Sequence, residues 1–187
     1  MNDTLVWKEI QDYTIQHSGF EEKRDYVSLS RISKNAEDLV KEFISGYYSN
    51  DNSRLKCYKG YQMEADMKRR LKIIFGSEIS FDPEISIEGG LFKGHPDFIL
   101  REKPGEFKSV LMDDWLPWDK KINPSHYFQM QAYLLYLKRE DGIFIYESRE
   151  SGQIVSVLCR ENKQTQRIIE EKIGRIKELL KLQGFVK

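Results

Sequence analysis

Apolar residues recur along this chain with two different periods, and the change from one to the other divides it. Residues 34–47 follow helical spacing, with Leu39, Val40, Phe43 and Ile44 on one stripe, and residues 4–17 have helix-compatible spacing as well. Residues 58–75 read as another helix, stopped by Gly76. The period then shortens to two. Residues 84–88 alternate, with Ile85 and Ile87 on a shared face, and 95–100 and 106–112 are short strand candidates. Lys103-Pro104-Gly105 between the last two reads as the turn of a hairpin. Asn123 followed by Pro124 is a helix cap and first helical position, and that helix should run to about Lys138. Turn signals at Asp141-Gly142 and Ser151-Gly152 set off strands at 143–147 and 154–159. Residues 163–182 form a long amphipathic helix with Ile168, Ile169, Ile173, Ile176, Leu179 and Leu180 along one side.

This order predicts an α/β fold: a central mixed β-sheet flanked by helices, with a helical N-terminal part covering one side. No repeat, low-complexity tract or Gly/Ser/Pro-rich linker interrupts the 187 residues, so a single domain is expected, with 1–57 as the helical N-terminal part and 58–187 as the core.

Composition narrows the class. With 40% hydrophobic and 32% charged residues, no apolar run of membrane-spanning length and no secretory leader pattern at the start, the expectation is a cytoplasmic protein without membrane partners. A net charge of zero argues against bulk electrostatic attachment to nucleic acid but leaves room for a local basic groove. The two cysteines, Cys57 and Cys159, are far apart and belong to no C-x-x-C pair, so no zinc-ribbon or iron–sulfur ligand set exists.

The chemistry concentrates on the hairpin. Glu106 and Lys108 alternate onto one strand face, and Asp97 lies on the strand just before, so the hairpin can gather two carboxylates and an ammonium against apolar neighbours. Two adjacent carboxylates repel each other and call for a cation, and hard divalent ions such as Mg²⁺ or Mn²⁺ favour oxygen ligands. A Glu-x-Lys tripeptide by itself equally describes an exposed sheet face laced by charge pairs. Other segments extend the pattern. Glu64 shares a helix stripe with Met67, Leu71 and Ile74; His126, Gln129, Tyr133 and Tyr136 share another. His95 stands two residues before Asp97, on the same strand face. Lys68, Arg69, Arg70 and Lys72 form a basic cluster that could meet phosphates or simply face solvent. The stretch 113–118 carries Trp115 and Trp118, which could stack on bases or pack on the core.

Pro96-Asp97 followed by Glu106-x-Lys108 resembles the PD-(D/E)xK nuclease superfamily. Gln129-Met-Gln-Ala-Tyr133 resembles the Q-x-x-x-Y motif of its RecB-like branch, and Gly60-Tyr-Gln-Met-Glu64 resembles the helix motif preceding the strands in that branch. All stand in the family's order over roughly residues 58–160. The resemblance implies a restriction-endonuclease-like core and a divalent-metal-dependent nuclease acting on DNA, of exonuclease type. It implies Asp97, Glu106, Glu64 and the Phe107 backbone carbonyl as metal ligands, with Lys108, Gln129 and Tyr133 as further catalytic residues. His95, Lys68, Arg69, Lys72 and Trp115 are candidate DNA contacts. DNA is the expected partner, with a second copy of the chain or a recombination protein as further candidates. The four cysteines that hold an iron–sulfur cluster in some RecB-like nucleases are missing, so no cluster is expected, and there are no helicase motifs. A sequence-specific endonuclease of the same superfamily and a non-catalytic nucleic-acid-binding module are the rival readings.

Overall fold

The computed structural model describes residues 24–46, 51–111 and 122–186, and only the backbone of 51–57. The predicted helix at 4–17 and the tryptophan segment at 113–118, Trp115 included, lie outside the described residues. In chain order the elements are β1 (Val27–Ser28), α1 (Ala36–Ser45), α2 (Asp51–Phe75), β2 (Ile79–Phe81), β3 (Ile85–Ile87), β4 (Phe92–Gly94), β5 (Phe98–Leu100), β6 (Lys103–Val110), α3 (Pro124–Leu137), β7 (Asp141–Ser148), β8 (Ile154–Arg160) and α4 (Lys163–Leu182).

The main sheet has the order β2-β5-β6-β7-β8. All its pairings are antiparallel except β6 with β7, which run parallel through the α3 crossover. A smaller sheet, β1-β4-β3, stands beside it. The expected mixed sheet with flanking helices is thus present, but the strand at 84–88 joins the smaller sheet instead of the central one. The candidate 95–100 also divides: the chain leaves one sheet at Gly94 and enters the other at Phe98, so His95 and Asp97 lie in the link between sheets and not on one strand face.

The hairpin of β5 and β6 is formed, but its turn is not Lys103-Pro104-Gly105. Leu100 pairs with Lys103, and the two residues between, Arg101 and Glu102, both have positive φ (47° and 68°). Positive φ at both positions matches the twist of the flanking strands, whereas an ordinary turn would splay them. Pro104 and Gly105 lie within β6, and Gly105 has no tolerance for a side chain: a Cβ there would sit 1.9 Å from the Phe98 ring.

Strand alternation divides the core. Phe107 and Ile145 face α2, packing with Met67, Leu71, Ile79 and Phe98. The final apolar contact of that helix is Phe75; Ile74, placed on this stripe by sequence spacing, is 69% exposed. The opposite sheet face carries Phe144, Tyr146, Val157 and Cys159 against α3 and α4. Leu29, Ile32, Leu39 and Val40 join that same cluster, so the described N-terminal residues share a core with the rest. The division expected at residue 57 falls inside the continuous helix α2. Gln131, fully buried, fastens α3 to the start of α4 by donating to the Arg160 carbonyl (2.7 Å) and accepting from the Asn162 amide (2.8 Å). Among the described residues no helix is long and apolar enough to cross a membrane.

Candidate active site

The site forms where β5 stops short beside β6. Asp97 lies just before β5, its amide donating to the Gly105 carbonyl (3.0 Å). Where the partner strand would continue, its carboxylate takes over: Asp97 Oδ2 accepts from the Phe107 amide at 2.7 Å. On the α3 face, Lys108 Nζ donates to Glu106 Oε1 at 2.6 Å. Asp97, Glu106 and Lys108 are therefore brought together as the sequence predicts, although Asp97 arrives from a link and not from within a strand.

Burial makes this cluster electrostatically tense. Glu106 is 4% exposed, and its Oε2 has no hydrogen-bond partner among the described residues. Burial pushes the Asp97 carboxyl up to about 8, aided by the charges of Glu106 and Glu64 and opposed by Lys108 and the Phe107 amide. Burial likewise raises Glu106, against the pull of Lys108 and Gln129. Burial alone would lower Lys108, but Glu106, Asp97 and Glu64 together outweigh it and hold its ammonium above the ordinary lysine range. One orphaned carboxylate oxygen and a carboxyl driven far from its usual range describe a site short of positive charge.

Glu64 reaches the site from α2. Its charge acts on Asp97, Glu106 and Lys108, while its own carboxylate pairs with Lys68 at 2.7 Å. Lys68 also binds Asp82 at 2.5 Å, and the Asp82 amide donates to the Asp97 carbonyl. Among the described residues no group of three or more His, Cys, Asp or Glu side chains forms a ready metal cage.

Gln129 and Tyr133 stand behind Glu106. Gln129 Nε2 donates to Glu106 Oε1 (2.7 Å) and to the Tyr133 hydroxyl (2.9 Å), which in turn donates to the His95 carbonyl (3.3 Å). Tyr133 is completely buried and Gln129 nearly so. The two residues named as further catalytic residues thus clamp a carboxylate from the core side, Gln129 directly and Tyr133 through Gln129. Close packing fixes the pair, since a Cβ on Gly94 would lie 2.8 Å from the Tyr133 ring.

The basic cluster is largely consumed internally. Lys68 is paired as described, Arg70 binds Asp66 and the buried Glu147, and Lys72 Nζ caps the end of α2 through the Gly76 carbonyl. Arg69, 73% exposed beside Asp66, and Lys72 are the exposed members of the four. His95 turns outward toward Glu84 (3.9 Å) and contributes its carbonyl, not its ring, to Tyr133. Sequence reasoning did not single out His126 for the site, yet it lies near Lys108, its Nδ1 3.2 Å from the Tyr146 hydroxyl. Burial first, and the Lys108 charge second, lower His126 to about 4. Its place one turn before Gln129 on α3 was the available signal.

No family model matches the chain, and neither does any curated protein. Solved structures do. An alkaline exonuclease (LHK-Exo) from Laribacter hongkongensis aligns with a TM-score of 0.63 at 15% identity, covering 94% of this chain and 93% of that one. The same exonuclease in complex with dAMP aligns at 0.61 and 16% identity, covering 92% and 93%. A phage-related exonuclease from Haemophilus somnus 129PT aligns at 0.59 and 11% identity, over 82% and 92%. At these identities the likeness establishes architecture, and the chain accordingly shares the fold of these exonucleases.

Proposed function

We propose that this protein is a divalent-metal-dependent nuclease that hydrolyses DNA phosphodiester bonds from ends. The observation that carries the reading is the buried, charge-deficient cluster of Asp97 and Glu106 beside Lys108. The orphaned Glu106 Oε2, the elevated Asp97 and the all-oxygen donor set fit a hard divalent cation. Asp97 and Glu106 would hold it. So would the Phe107 carbonyl, because a strand residue turns its N–H and C=O to the same edge and the Phe107 amide already meets Asp97 there. Two carboxylates and one carbonyl suit Mg²⁺ or Mn²⁺, which keep several waters. When bound, such a cation polarises a phosphoryl oxygen and acidifies a coordinated water.

The chain's own residues do the rest. Lys108 places a fixed positive charge where negative charge develops on phosphoryl oxygens. Gln129 occupies Glu106 Oε1 and leaves Oε2 available, while Tyr133 holds Gln129 in turn. Glu64, tied to Lys68, adds negative charge from outside the pair. Action on DNA and release of mononucleotides gain support from the related fold that binds dAMP, a deoxynucleoside monophosphate.

Degradation of end-labelled linear and closed circular DNA with Mg²⁺, Mn²⁺ or EDTA tests this. Parent protein should shorten linear DNA progressively with either metal, leave the circle intact and do neither in EDTA. Asp97→Ala and Lys108→Ala should lose at least about a hundredfold in rate. Cleavage of the circle into defined fragments would replace this reading with the endonuclease one, and a Lys108→Ala protein as active as the parent would remove the assigned role.

A further inference from the structure

The cations nearest the site are bound to carboxylates, and that directs attention to one that is not. Arg149 follows β7 at the carboxyl ends of the parallel pair β6 and β7, the end of an open α/β sheet where ligands collect. Its amide donates to the Val110 carbonyl (2.8 Å), and its Nε donates to the Ser109 hydroxyl (3.1 Å). Among the described residues no carboxylate pairs with it, whereas Lys68, Arg70 and Lys108 are all ion-paired. A neutral hydroxyl orients the guanidinium without cancelling its charge. The remaining nitrogens keep a planar fork of donors of the kind that binds phosphate.

Helix α2 passes close over this strand end at Gly60: a Cβ there would be in ordinary contact with Ser109 Oγ (3.4 Å) and Arg149 Nη2 (3.8 Å), so the helix backbone confines the guanidinium on one side. Gly60 precedes Glu64 by four residues on α2, about 6 Å along the axis, and Ser109 directly follows Lys108. The exposed Lys59 adjoins Gly60.

We propose that Arg149, held by Ser109 beneath Gly60, binds a backbone phosphate of the nucleic-acid strand next to the one being cleaved. This rests on the nuclease reading and adds a substrate subsite to it. The subsite reads charge and spacing, not base sequence.

Binding of a fluorescein-labelled single-stranded oligonucleotide, followed by anisotropy in EDTA over a salt series, separates the possibilities without requiring hydrolysis. Arg149→Ala should weaken binding about tenfold and reduce the slope of log K against log salt by roughly one contact. Arg149→Lys should keep the parent slope while binding more weakly, because charge survives and the fork does not. Ser109→Ala should weaken binding with no change in slope. Parent-like affinity and slope in the Ala and Lys variants of Arg149 would overturn this inference alone. A parent protein that binds no oligonucleotide would overturn the nucleic-acid reading and this inference together. Should the Ala variant fail to fold, an Arg149→Lys protein that binds like the parent decides against the fork.

Discussion

Burial sharply alters the chemistry of the Asp97 carboxyl. A carboxyl whose pKa is higher in the folded protein than in the unfolded chain binds its proton more tightly when folded. Its stabilising contribution is fully present below the ordinary value of 3.8 and is lost as pH rises toward about 8. The metal-free protein should therefore lose thermal stability over that window. Asp97→Asn should flatten the trend and melt several degrees above the parent near pH 8. Parallel melting curves of the two proteins in EDTA across this range would contradict the assignment. Gln129 makes a second residue-scale case. With Glu106 Oε1 released from its amide, Gln129→Leu should bind Mn²⁺ roughly 10–100-fold more weakly, read by calorimetry. A role confined to packing would leave that affinity unmoved while lowering the melting temperature.

The hairpin of β5 and β6 is the element on which the site depends. Its register places Glu106 and Lys108 toward α3 and the Phe107 amide toward Asp97. Gly105 sets how closely the two strands approach, because Phe98 occupies the space a side chain would need. Gly105→Ala should cost about 3 kcal/mol, measured as a lower urea midpoint with an unchanged slope. A loss under about 0.5 kcal/mol would mean that Phe98 moves aside freely. Sequence identified this hairpin correctly but misplaced its turn. Lys103-Pro104-Gly105 has turn-like composition, yet Pro104 lies within β6 opposite Ile99, and the turn falls to Arg101-Glu102, neither of which advertises positive φ. Likewise, His95 and Asp97 look like one alternating strand because a switch between two sheets leaves no mark in a six-residue pattern.

Across the molecule, what could be read in advance was what short-range patterns encode. Helix α4 is found where its stripe put it, and α3 begins at its Asn123 cap. The closeness of Glu106 and Lys108 was legible from strand alternation, and that of Asp97 from its place just before the hairpin. Long-range partnerships were not legible. Nothing local says that Lys68 spans Glu64 and Asp82, that Arg70 is consumed by Glu147, or that Gln129 and Gln131, two residues apart on α3, serve Glu106 and the α4 junction respectively. The basic cluster could be read as a phosphate-binding or a solvated face because sequence displays charges without their counterparts. The two-residue turn at Arg101-Glu102 has a separate implication. It stands at the opposite end of the hairpin from Asp97, and its polar side chains are mostly exposed, Arg101 toward Glu78 and Glu102 toward Arg139. Natural variation in length can accumulate there, and a peptide tag or a whole inserted domain can be grafted into it, with the carboxylates left undisturbed.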